Sequence, residues 1–426
     1  MQPFLTSVRA SLTGITTACA AVTLFAILSG FALSDARIAE VVRTVFAKDE
    51  LAHPARIRED LFTECALLTM QILRHDNAFR AALDTRFILL PDEHPCDTLR
   101  TLVLGTAEQR TSLPAPVSYF NYPFGSRHLE AFVLSALDYG PATTLYRALS
   151  YGSVVLLFAA MLWRSPASAV LLSPVPLFLI GAFTLHRFGG NLAHAPGYFV
   201  GFIALAIFLA TPRLFSSAGR RLGFAGALGV LAAYIDLLNG VIVTLLALTI
   251  LLDHFFYTAA ERDRPGYMFK VASQAVAIFA CFLAGYLIVT LGRLGLLWLN
   301  GVDITRFIAN LAVRTAQDIG IPLTFQQNLE ALFAIRAQLT PGGASAANWV
   351  FLAGIAGWIF AGLAGLAALA FRHRLHGSAL TDVLVLAAVS LVLVFHRPHL
   401  RARRVHGAAP RYTAGLRACG GAPRDT

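Results

Sequence analysis

The chain has 426 residues, of which 57% are hydrophobic and only 14% charged, with a mean hydropathy of +0.65; this excludes ordinary water-soluble domains apportioned by length. The net charge of +10 is almost all arginine, Lys48 and Lys270 being the only lysines. These arginines sit in short connections between apolar runs, where topology and phospholipid headgroups explain them and nucleic acid does not.

Taken in order, the nearly charge-free runs are Ser11–Leu33, Leu145–Trp163, Ala167–Leu185, Pro196–Ala210, Leu222–Leu252, Phe269–Leu291, Ala347–Phe371 and Leu380–Phe395. A hydrocarbon core about 30 Å thick needs about 20 apolar residues per helix, and its backbone groups must be satisfied within the segment. The expected fold class is therefore an all-α integral membrane protein with about nine membrane helices. Residues 1–33 form an N-terminal anchor helix, because the apolar run exceeds a signal-peptide h-region and further spans follow. Residues 34–144 form a large, mixed but mainly helical outer loop with 15 of the 24 acidic residues. Residues 145–291 form a helix bundle that includes a hairpin around Asp236.

The hairpin follows from charge. Arg164, the Arg213/Arg220/Arg221 connector, the Arg262/Arg264/Lys270 connector and Arg372/Arg374 all lie on the cytoplasmic side only if Leu222–Leu252 crosses and returns. It would turn at Tyr234-Ile235-Asp236-Leu237-Leu238-Asn239-Gly240, placing Asp236 beside the large loop. Each arm is then only about 21 Å long, which favours a tilted or re-entrant pair buried among other helices. Residues 292–346 read as a second outer loop with amphipathic helices, marked by Ile304, Phe307, Ile308 and Leu311 and by Leu329, Leu332 and Phe333. Such helices also suit a membrane-surface cap. Residues 347–395 are C-terminal membrane helices, and 396–426 an arginine-rich, atypical tail. By its charge the tail belongs in the cytoplasm, whereas an odd number of spans puts it outside. Either Leu380–Phe395 does not cross, or a shifted reading frame supplies the tail.

The five cysteines show no zinc-type spacing. Cys65 and Cys96 share the polar loop and are either a disulfide in an oxidising compartment or free thiols. Asp35 follows the first helix immediately, as an N-cap for Ala36–Ala47 or as a general base beside a bilayer-embedded substrate. Asp60 and Glu64 open the next helical run; Asp60 caps it, or Asp35, Glu40, Asp60 and Glu64 together hold a divalent cation. Tyr119, Phe120, Tyr122 and Phe124 with Arg127 and His128 form an interfacial aromatic belt, or a platform where a sugar stacks and Arg127 meets phosphate. His186, Arg187, Asn191 and His194 in the next outer connector can join that site. No GxGxxG, Walker, GxSxG or HExxH pattern is present.

This layout resembles the integral-membrane glycosyltransferases of the GT-C fold class. It is also similar to uncharacterised bacterial polytopic proteins of that build. The likeness rests on Asp60-Leu61-Phe62-Thr63-Glu64, Tyr119–His128 and Tyr234-Ile235-Asp236, and departs from the family where Asp35 is followed by Ala36. The resemblance implies a multi-pass protein of the bacterial cytoplasmic (inner) membrane. Its activity would be sugar transfer from a polyprenyl-phosphate donor at the outer face, with inversion, for the cell envelope. It allows a divalent metal (Mg or Mn), with membrane lipids and the lipid-linked sugar as partners. Asp35 or Asp60 would be catalytic. Glu64, Tyr119, Tyr122, Arg127, His128, His194 and Asp236 would bind substrate. A transporter or flippase of glycan precursors and a non-catalytic assembly protein are the competing expectations.

Overall fold

The computed structural model describes residues 2–48, 58–75, 77–88, 95–118, 125–164, 176, 179–180, 185, 189–235, 241–257, 261 and 266–305. Asp236, Tyr119, Tyr122, most of the expected Ala167–Leu185 span, the second loop beyond residue 305, the C-terminal helices and the tail lie outside them.

The described chain is mostly helical. In order it forms α1 (Gln2–Ala32), α2 (Asp35–Ala47), α3 (Arg58–Ile72), α4 (Ala78–Leu83), β1 (Arg86–Phe87), α5 (Pro95–Leu104), α6 (Ala107–Thr111), β2 (Val117–Ser118), α7 (Gly125–Ala136) and α8 (Tyr139–Arg164). After the connector come α9 (Ala195–Ala210), α10 (Ala218–Ile235), α11 (Val241–Asp253), a short 3₁₀ turn (His254–Phe256) and α12 (Tyr267–Leu299). Among the described residues, three helices are long and apolar enough to cross a membrane, at Val8–Ala32, Tyr139–Arg164 and Phe269–Leu299. Ala195–Ala210 and Thr244–Phe256 are shorter apolar helices. Phe31, Trp163, Phe269 and Leu299 project outward at 72–80% exposure, as side chains facing acyl chains would.

The turn expected around Asp236 lies outside the described residues, between the end of α10 and the start of α11. Arg221 at the start of α10 donates to Asp253 at the end of α11 at 2.5 Å, so the two helices run antiparallel. Neighbours along α10 fix the rest. Ala10 and Ile15 of α1 meet Gly223 and Gly226, and Cys281 and Phe282 of α12 meet Gly226 and Gly229, so α1, α10 and α12 run the same way. Phe208, near the end of α9, stacks on Phe224, near the start of α10, so α9 runs opposite. Lipid tails supply no hydrophobic drive between apolar helices, so close backbone approach does. At Gly229 a side chain would strike the Phe282 carbonyl, which is why this helix carries glycine there.

The bundle therefore has two unlike ends. At one, Arg164, Arg213, Arg220, Arg221 and Lys270 gather at helix termini. The other carries residues 34–138 as a helical layer with its own core. α2 buries Ile38, Val41, Val42 and Val45, one stripe at helical spacing. They pack with Leu67, Leu68, Leu99 and Leu134, with Tyr139, Tyr146 and Phe199 from the helices beneath and with Leu192 from the turn before α9. β1 and β2 pair antiparallel, Arg86 with Ser118 and Phe87 with Val117. Cys65 and Cys96 are joined as a disulfide, tying α3 to α5 across a Cα separation of 4.9 Å.

Two expected boundaries move. The second span begins at Tyr139, ahead of Leu145, because Tyr139, Ala142 and Tyr146 are buried against the loop core. α12 continues through Gly292 to Leu299, since Arg293 finds the Leu83 carbonyl at 3.2 Å and does not end the helix.

Candidate functional site

Polar groups converge where the loop layer meets the bundle. α7 begins at Gly125, and a Cβ there would sit 2.6 Å from the Tyr234 ring, so glycine lets α7 seat directly on the end of α10. This aims the next residues inward: Ser126, Arg127, His128 and Glu130 are all buried.

His128 stacks on Tyr234 with ring centroids 5.5 Å apart and places Nδ1 2.5 Å from the tyrosine hydroxyl. Burial, then the charges of Arg127 and Arg293, hold His128 well below the usual imidazole range, so the ring is neutral. Arg127 Nη2 lies 3.1 Å from His128 Nε2 and is necessarily the donor. The imidazole proton is thereby assigned to Nδ1, which donates to the Tyr234 oxygen. Arg127 Nη2 also donates to the Ala81 carbonyl, while its Nε is buried with no hydrogen-bond partner. Burial lowers this guanidinium to about 10 despite support from Asp84 and Glu130.

Gln71 of α3 binds α7 in place. Its Nε2 donates to the Arg127 carbonyl at 2.6 Å and to Glu130 Oε2 at 3.2 Å. On the loop side, Asp84 Oδ2 meets His75 Nε2 at 2.7 Å and accepts from Ser118 Oγ at 2.9 Å. About two turns before Gln71 on α3, Glu64 accepts from the Tyr139 hydroxyl at 2.5 Å and from the Leu192 amide at 3.3 Å. His194 Nε2 lies 3.3 Å from Thr63 Oγ1, and Asn191 caps the same turn by accepting the Ala193 and His194 amides.

Of the sequence-derived residues, Glu64, Arg127, His128 and His194 therefore meet at this junction. Asp35 does not enter it. Ser34, not Asp35, is the N-cap of α2, its side chain accepting the Arg37 amide. Asp35 occupies the first turn, 79% exposed, and pairs with Arg74 Nη2 at 2.7 Å. Arg74 in turn acts electrostatically on Arg127, so Asp35 touches only the rim of the cluster. Asp60 lies in the first turn of α3, with its side chain outside the described residues. The expected set of four cation-binding carboxylates does not assemble from those described. Asp35 and Glu40 are exposed ion-pair partners of Arg74 and Arg37, whereas Glu64 is buried with Tyr139. Among the described residues no group of three or more His, Cys, Asp or Glu side chains could hold a metal ion.

Gln71, Asp84, Glu130, Tyr139 and Arg293 belong to the cluster and were not singled out from sequence. Two of them left a signal. Gln71 interrupts the apolar stretch Ala66–Ile72, and Arg293 is a lone charge in a long apolar run, where a partner is the default expectation. Glu130, one turn after Arg127, looks like an ordinary surface pair.

No protein-family model matches the chain, and neither a curated protein nor a solved structure is similar to it.

Proposed function

We propose that this chain is a multi-pass glycosyltransferase of the cytoplasmic membrane, with about nine membrane segments in a GT-C-like arrangement. It would move a sugar from a polyprenyl-phosphate donor at the outer face. The observation that carries this reading is the seating of α7 on Tyr234, which puts Arg127 and His128 at the junction of a helical loop layer and apolar helices. A lipid-linked substrate meets protein at such a junction, its polyprenyl chain in the bilayer and its phosphate at the boundary. The Cys65–Cys96 disulfide agrees with an oxidising, outward-facing side for the loop, and the arginines at the opposite end agree with a cytoplasmic one. In this reading Asp60 or Asp35 takes the acceptor proton as general base, and Arg127 Nε faces a phosphate oxygen.

Transfer of labelled sugar from a polyprenyl-phosphate donor in proteoliposomes tests it. Asp60→Asn or Asp35→Asn should slow transfer about 100-fold or more, the contribution expected of a general base. Full activity in both variants removes the base assignment, and loss of activity on chelation would establish the metal. Transport is the second reading. It is favoured by Arg293, an ionisable residue on an apolar helix, bonded to the loop at Leu83. Counterflow of a lipid-linked sugar without any product would replace the first reading with this one.

A further inference from the structure

We propose that Glu130 and Glu64 form a buried carboxyl pair that holds one exchangeable proton on Glu130, a proton-binding site between the loop layer and the apolar helices. The inference stands independently of the transfer reading.

Both side chains are inaccessible, at 0% and 2% exposure. Their surroundings differ. Glu64 has a donor on each oxygen, the Tyr139 hydroxyl and the Leu192 amide, which suits a carboxylate. Glu130 has a single neutral donor, the Gln71 amide, shared with the Arg127 carbonyl, and its Oε1 is buried without a hydrogen-bond partner. A buried carboxyl group short of donors favours its neutral form, and the charge of Glu64 acts in the same direction.

The charged and titratable groups facing Glu130 come from three helices. α3 brings Glu64. α7 brings Arg127 and the neutral His128, and Arg127 directs Nη2 to Ala81 and His128. α8 brings Tyr146, whose buried hydroxyl has no hydrogen-bond partner. Among the described residues Arg127 is the one cation acting on Glu130, and it opposes the proton. Burial and Glu64 outweigh both Arg127 and the Gln71 hydrogen bond, pushing the Glu130 carboxyl up to about 8.

The sign follows from linkage. Between the ordinary carboxyl value of 4.5 and about 8, the folded protein binds a proton that the unfolded chain has released. Stability therefore falls as pH rises through that window, and the full cost of the buried charge is present above it. Ionised Glu130 would repel Glu64 and loosen α7 from α3, so the pair makes the docking of the loop layer sensitive to alkaline pH.

Infrared difference spectroscopy of the full-length protein in liposomes, titrated from about pH 5 to about pH 9, tests this. The expected result is a protonated-carboxyl C=O band that disappears with a midpoint near 8, together with its loss in Glu130→Gln. Glu64→Gln removes the like charge and should move the midpoint down. Gln71→Leu removes the amide donor and should move it up, which keeps the test open if Glu130→Gln fails to fold. Absence of the band in the parent protein at neutral pH, or its persistence in Glu130→Gln, overturns the site. A midpoint unmoved by Glu64→Gln overturns the pairing.

Discussion

The two ends of the bundle both bury charge, but they treat it differently. At the arginine end, Arg221 and Asp253 are each about 95% enclosed and make one short ion pair. Arg221 Nη1 also reaches the Phe215 and Ser216 carbonyls, and its guanidinium lies over the rings of Phe256 and Tyr257 at 5.4 and 5.5 Å. Arg164 covers the Phe256 ring at 5.3 Å and donates to the Phe255 carbonyl, so the ends of α8, α10 and α11 are fastened together. The loop end is different. Arg127 Nε, Glu130 Oε1, Asp84 Oδ1 and Ser126 Oγ are all buried without hydrogen-bond partners. Unmet buried donors and acceptors cost stability, and they are kept where a ligand, a proton or a movement uses them. The Arg221–Asp253 ion pair marks a fastening, whereas Arg127 Nε and Glu130 Oε1, buried without such a pairing, mark a candidate site.

Breaking the fastening should have the largest effect. Arg221→Ala leaves Asp253 buried and unpaired, which costs about 3–5 kcal/mol, seen as a large drop in the unfolding temperature of the detergent-solubilised protein. Replacing both residues by apolar ones of similar size should cost much less, because no lone charge remains. On the loop side, Cys65→Ser with Cys96→Ser opens the link between α3 and α5. The loss should be about 2–4 kcal/mol and be confined to oxidising conditions, as the parent and the double variant converge under reductant. Gly229→Ala forces α10 away from the Phe282 carbonyl and should cost about 1–3 kcal/mol by the same unfolding measurement. The smallest effect belongs to Asp35. Its ion pair with Arg74 is mostly solvated, so Asp35→Asn should change stability by less than about 0.5 kcal/mol, and a strong loss of transfer activity there would speak for chemistry and not packing.

Much of the fold was legible because bilayer physics writes long, simple signals. Apolar runs around Ser11–Leu33 and Phe269–Leu291 have one stable answer, a helix. The position of the arginines implies a return of the chain near Asp236, a turn that lies outside the described residues. The site was only partly legible. Arg127 and His128 stood out through their aromatic neighbourhood, and Glu64 and His194 through their place in the outer segments. Asp35 drew attention by standing next to the membrane, yet local sequence cannot say whether an acid after a helix is solvated or enclosed.

The sequence alone thus determined the helical class with its long apolar segments, since that depends on hydrophobicity summed over many residues. Only the tertiary structure decided which acid is solvated at Asp35 and which is enclosed at Glu130, and that Tyr234 meets His128 across 106 positions of sequence. Desolvation and hydrogen-bond supply are properties of the space around a side chain, and that space is built by residues far away in the chain.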